Sequence, residues 1–136
     1  MIPDSNNVYS TLTAPVDLEL AVTILKEVFP EAHVGIYTSG YNGAKTIHVD
    51  SDDADFEGYP TSDGARSDYL FNGGVAGSDA EVIAKVRQIA ERFKDAGFRM
   101  SIEAYDTRGE MICDFPENGS EQGEDDQAAA AVDSKP

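Results

Sequence analysis

Two stretches of this chain carry the same apolar rhythm, and that rhythm sets the layers the chain can form. Val16, Leu18, Leu20, Ile24, Leu25, Val28 and Phe29 recur at helical spacing and make one broad stripe. Pro15 suits a first helical turn, Thr13 is placed to cap it, and Asp17 and Glu19 lie at the positive end of the helix dipole. Pro30 ends the pattern, because the residue before a proline avoids helical geometry. Val34, Ile36 and Thr38 then alternate with His33, Gly35 and Tyr37. Ser39-Gly40-Tyr41-Asn42-Gly43 has turn chemistry, and Ile47 and Val49 alternate with Thr46, His48 and Asp50.

The second stretch repeats the order. Ser78-Asp79-Ala80-Glu81 is a capping box: the serine hydroxyl accepts from a free backbone N–H, and Glu81 reaches back. Val82, Ile83, Val86, Ile89, Ala90, Phe93 and Ala96 form the stripe, and Gly97 suits a C-terminal cap. Phe98, Met100, Ile102 and Ala104 face one way, Asp106-Thr107-Arg108-Gly109 turns, and Met111, Cys113 and Phe115 face inward again. An offset of 64 lays Leu18 on Val82, Leu25 on Ile89, Phe29 on Phe93, Ile36 on Met100 and Ile47 on Met111. Either an internal repeat (15–50 and 78–115) or the generic likeness of two helix–hairpin units explains the match.

Both explanations give one architecture. The expectation is an α+β two-layer sandwich in α-β-β-α-β-β order. An antiparallel sheet of four to five strands carries two helices on one face and leaves the other in water. Residues 1–13 read as an extended N-terminal segment and 14–115 as a single domain. Residues 50–77 read as a long irregular loop with a short strand at Tyr69-Leu70-Phe71. After Pro116, residues 116–136 lose apolar periodicity and read as a disordered acidic tail.

Charge limits the function. The chain has 26 acidic and 10 basic residues, a formal net charge of −16 over 136 residues. The tail holds six acids and one base, so the body before it is strongly acidic in its own right. Such a field repels nucleic acid and anionic membrane and attracts basic surfaces. No apolar run approaches the roughly 20 residues of a membrane helix. MIPDSNNVYS lacks a basic n-region and an apolar h-region, and the single Cys113 has no internal disulfide partner. A reducing, cytoplasmic setting is the expectation. Asn118-Gly119-Ser120 then reads as an accident of a polar tail.

The candidate contact residues fall in the acidic loop: Asp50, Asp52, Asp53, Asp55, Glu57, Asp63 and Asp68, with Phe56, Tyr59 and Tyr69 as apolar anchors. Aromatic rings among carboxylates suit an interface better than a loop serving solubility alone. Asp53-x-Asp55-x-Glu57-Gly58 resembles the opening of an EF-hand loop. The twelfth position, however, is Gly64, where a bidentate glutamate is required, and no helices flank it. His33, His48 and Asp50 share the outward parity if Ile36 pairs with Ile47, a candidate set for a divalent transition metal beside the plain reading of scattered surface histidines.

Asn72-Gly73-Gly74-Val75-Ala76-Gly77-Ser78 leads to a helix but has no Lys or Arg. Asp79 and Glu81 would repel a phosphate there. Cys113 reads as a small buried hydrophobe. The outward sheet face is expected to carry His33, Tyr37, Thr46, His48, Arg99, Ser101, Glu103, Tyr105, Glu110, Ile112 and Asp114. Tyr37, Tyr105 and Ile112 mark either a second contact surface, such as a homodimer face, or ordinary scattered surface residues.

The sequence-based expectation is a small non-enzymatic protein without a cofactor that blocks a basic protein surface. The partner class is a nucleic-acid-binding protein, a nuclease or a toxin. In charge and size alone, with no shared motif, the chain resembles acidic inhibitors such as DNA mimics, antirestriction and anti-CRISPR proteins of phages, and immunity proteins. Two alternatives stand beside it: a small enzyme or metal- or ligand-binding domain using His33, His48 and nearby carboxylates, or a soluble domain from a generally acidic proteome.

Overall fold

The computed structural model describes residues 2–3, 5–13, 16–38, 40, 43–61 and 68–116. The elements run β1 (Val8–Leu12), α1 (Leu18–Val28), β2 (His33–Thr38), β3 (Lys45–Asp50), β4 (Ala54–Pro60), β5 (Tyr69–Val75), α2 (Asp79–Asp95), β6 (Met100–Tyr105) and β7 (Met111–Phe115). The fold is α+β with an antiparallel sheet and two helices, as the apolar rhythm requires. The sheet has seven strands in the order β2-β3-β4-β5-β1-β6-β7, where four to five were expected.

The extra strands come from the segment read as merely extended, 1–13, and from the one read as a long irregular loop, 50–77. Val8–Leu12 is an internal strand, paired on one side with β5 and on the other with β6. It joins the two helix–hairpin units through the middle of the sheet. The Asp63 position and the tail from 117 onward lie outside the described residues. The segment 50–77 holds the paired strands β4 and β5, registered from Ala54↔Val75 to Pro60↔Tyr69.

Two glycines let that pair form. Phe56 lies opposite Gly73, and Phe71 lies opposite Gly58. The two rings stack at 4.8 Å with planes 11° apart. A Cβ on Gly73 would sit 2.1 Å from the Asp55 carbonyl oxygen and 2.6 Å from the Phe56 Cα, and one on Gly58 would sit 2.7 Å from the Tyr69 ring. Each strand therefore gives up a side chain where the other lays down a ring. Glycine in a strand of this kind marks close approach.

Both helices cover one face of the sheet. Ala21, Ile24, Leu25 and Val28 of α1, and Val82, Val86, Ile89 and Phe93 of α2, are buried there with Val8, Leu12, Val49, Phe56, Phe71 and Ile102. Burying each large apolar side chain contributes about 1.5–3 kcal/mol. Helix α1 begins later than its Pro15 suggests. Asp17 is its cap, accepting from the Leu20 N–H at 3.1 Å. The capping box of α2 forms as read: Glu81 N–H donates to Ser78 Oγ at 3.2 Å, and Ser78 N–H donates to Glu81 Oε1 at 2.7 Å. Lys85 ties the helices together, donating to the Val28 carbonyl at 2.9 Å beneath the Phe29 ring. Arg92 pairs with Glu27 across the same gap. No helix among the described residues is long and apolar enough to cross a membrane.

Candidate functional site: the helix-free sheet face

Strand parity decides what the uncovered face presents. The side chains of β3, β4, β1 and β6 alternate between the core and that face, since successive Cβ atoms point to opposite sides. Ile47 and Val49, Ala54 and Phe56, Val8 and Leu12, Ile102 and Ala104 point to the core. Asp50, Asp55, Glu57 and Glu103 therefore point away from it, and Asp114 joins them as the register partner of Glu103. These are all the acidic residues in the strands. The single lysine of the strands, Lys45, has the parity of Ile47 and stands on the helix side. The helices are nearly balanced: Glu19, Glu27, Asp79, Glu81, Glu91 and Asp95 against Lys26, Lys85, Arg87, Arg92 and Lys94. Among the strands and helices, the surplus negative charge thus lies on the open face.

One row of this face crosses the whole sheet: Gly35, His48, Glu57, Asn72, Tyr9, Glu103 and Asp114 stand in register on successive strands. Strands are about 4.8 Å apart, so Glu57 and Glu103, three strands apart, are held about 14 Å from each other. Asp50 and Asp55 face each other directly in the row beside it. Among the described residues no Lys or Arg forms an ion pair with any of the five. Glu57 has only His48, whose Nε2 lies 3.7 Å from its carboxylate.

Aromatic side chains rise among the acids. Tyr9 and Tyr59 are each 41% exposed and Tyr37 is 57% exposed. Tyr9 meets Tyr105 edge to face at 5.8 Å, and Tyr37 meets His48 at 4.7 Å. The Tyr105 hydroxyl donates to the Glu103 carboxylate, and that bond holds its phenol above the ordinary value. A cleft of about 290 Å³ opens on this face, bordered by Ile2 and Pro3 on one side and Asp55, Glu57, Tyr59 and Asn72 on the other.

The structure sorts the expected contact residues. Asp50, Asp55, Glu57 and Tyr59 come together on the open face. Asp52 and Asp53 sit in the β3–β4 turn, where the Ser51 hydroxyl accepts from Asp53 N–H at 3.2 Å. Asp68 precedes β5, its carbonyl accepting from Thr61 N–H at 2.9 Å. Asp63 lies outside the described residues. Phe56 and Tyr69 are corrected: they are 1% and 3% exposed, their parity turning both into the core, so neither is a surface anchor.

The strands also decide the remaining motifs. The Asp53–Glu57 segment is not a calcium-type loop, because Asp55 and Glu57 project from a regular strand. Asn72-Gly73-Gly74-Val75 is strand and not a phosphate cradle. Ile36 does pair with Ile47, which sets His33 opposite Asp50 and His48 opposite Gly35. Even so, the described residues contain no group of three His, Cys, Asp or Glu arranged to hold a metal ion. Ile112, placed outward by simple alternation, packs against the core, because the register shifts between Ala104 and Tyr105. The Cys113 thiol is half-buried, and burial raises its pKa, which disfavours the reactive thiolate.

Sequence reasoning placed Glu103, Tyr105 and Asp114 on the outward face but did not join them to Asp55 and Glu57. It missed Tyr9 altogether. The available signal was the alternation of Val8, Ser10 and Leu12 with Tyr9 and Thr11, a five-residue strand pattern in a segment read as polar. Compared with known protein families and with curated proteins, the chain matches no family model and no curated sequence.

Proposed function

We propose that this chain is a non-enzymatic binding protein that covers a basic surface of a partner protein with its helix-free sheet face. One observation carries the reading: every acid in the strands lies on that face, and the one strand lysine lies on the other. A rigid sheet fixes the carboxylates, so no ordering of a loop is needed on docking. Long-range attraction speeds the encounter with a cationic surface, and complementary charge suppresses wrong partners. Tyr9, Tyr37 and Tyr59 supply the large, stiff contact area from which interface hot spots are usually made. Proteins whose own ligand is polyanionic, such as nucleic-acid-binding proteins, nucleases and nuclease-type toxins, present such cationic surfaces. Direct nucleic-acid binding is disfavoured by the same field.

Two variants with equal charge change separate placement from total charge. One carries Asp55→Asn, Glu57→Gln and Glu103→Gln on the open face; the other carries Glu19→Gln, Glu91→Gln and Asp95→Asn on the helices. Capture of basic proteins from lysate at low salt should fall at least tenfold in the first and stay near wild type in the second. Equal loss in both would reduce the effect to net charge and refute the assigned face.

A further inference from the structure

The two edges of the sheet are built differently. Edge strands expose unpaired N–H and C=O groups, and proteins normally guard them with charge, proline or a covering element. The β7 edge is guarded: Asp114 lies in it, Pro116 follows it without an N–H donor, and Arg87 of α2 lies over the Phe115 ring at 5.5 Å. Among the described residues, the β2 edge has none of these. His33–Thr38 contains no Asp, Glu, Lys, Arg or proline, and it pairs with β3 without a bulge through all six positions.

The core also thins toward that edge. Val49 and Ile47 of β3 are fully buried, but Val34 and Ile36 of β2 are only partly covered. Leu18 and Val22, four residues apart on α1 and so on one helix face, are partly covered as well. A regular, half-covered strip without Asp, Glu, Lys or Arg, on a chain of net charge −16, lets a second copy approach without stacking acid on acid.

We propose that β2 pairs antiparallel with β2 of a second copy, about a two-fold axis at Gly35, joining the two sheets into one. The axis follows from parity. Residues opposite each other in an antiparallel pair share a face, so centring on Gly35 sets Val34 against the partner copy's Ile36 on the helix side. It sets His33 against the partner copy's Tyr37 on the open face. The contact is isologous and closes after two copies, because each copy has one such edge. It also aligns the two acidic faces side by side, doubling the surface offered to a basic partner. This inference does not depend on that docking role.

Sedimentation equilibrium of the full chain, from micromolar to millimolar, tests it. Wild type should be a dimer whose Kd falls as salt is added, since salt screens the repulsion between like-charged bodies. Docking on a basic partner should weaken with salt, so the two proposals move in opposite directions. Gly35→Lys should raise the dimer Kd at least tenfold. Among the described residues a Cβ there meets only the Tyr37 ring, at 3.8 Å, so the monomer keeps its fold while two lysines confront each other across the axis. Thr38→Lys, at an exposed position, should raise it as well. A wild-type chain that stays monomeric throughout overturns the proposal, even if it takes up an added strand peptide. So does a dimer that neither lysine weakens.

Discussion

The side chain of Asn7 pairs with both backbone groups of Val75, donating from Nδ2 to its carbonyl at 3.1 Å and accepting its N–H at 2.9 Å. The Asn7 backbone meanwhile donates to the Gly73 carbonyl and accepts from Tyr105 N–H. One residue before β1 thus closes the ends of β5 and β6 together. Buried backbone groups need partners, and here a side-chain amide imitates a neighbouring strand. Asn7→Ala leaves two buried groups without them. The expected loss is about 2 kcal/mol of unfolding free energy, read as a lower urea midpoint at unchanged slope. An unchanged midpoint would mean that water satisfies Val75 equally well.

Gly73 and Gly35 make opposite forecasts for the same substitution. Gly73→Ala forces a methyl into the Asp55 carbonyl and the Phe56 backbone and should destabilise by about 1–3 kcal/mol. Gly35→Ala meets only ordinary contact and should stay within about 0.5 kcal/mol of wild type. Thermal melts of the two variants check the contrast, and equal melting points would contradict the Phe56–Gly73 packing.

Tyr69 gives a pH dependence with a definite sign. Burial pushes its phenol up from 10.0 to about 12, while its hydroxyl donates toward the Lys45 and Gly58 carbonyls. Between those values the unfolded chain has lost the proton and the folded chain has kept it. Stability contributed by the neutral phenol is therefore full below pH 10 and declines as pH rises toward 12. Denaturant midpoints measured through that window should fall in wild type and fall less in Tyr69→Phe. Parallel curves would show that Tyr69 titrates normally.

The capping box of α2 makes a test at the acid end. The Ser78 backbone N–H and hydroxyl hold the Glu81 carboxyl below its ordinary value of 4.5. Its contribution is present above that value and is lost as pH falls through the lowered one. Ser78→Ala should cost about 1 kcal/mol at neutral pH. The gap between variant and wild type should narrow on acidification, as followed by circular dichroism melts.

The helices and outer hairpins were legible in the sequence because long apolar stripes and a capping box leave few alternatives. The inner strands were not, for reasons visible in their residues. In β4 the core positions are Ala54, Phe56 and Gly58, and in β5 they include Gly73, so the apolar alternation is broken where rings and glycines interlock. Tyr69 and Phe71 gave part of β5 away. β1 is five residues long, and its inward Ser10 reads as polar although its hydroxyl is satisfied by the Phe71 carbonyl. The site suffered from the same gap. Without β1 and β4 in the sheet, Asp55 and Glu57 looked like loop acids, and Phe56 looked exposed when parity buries it.

Amide NMR during titration with a lysine- and arginine-rich polypeptide tests the central claim most directly, at low ionic strength and again above about 0.1 M, where screening lengths shrink below about 10 Å. The expected shifts map to the open-face residues Tyr9, Asp55, Glu57, Asn72, Glu103 and Asp114, spare α1 and α2, and fade with salt. Perturbations spread evenly over helices and sheet, or centred on the helices, would contradict the account.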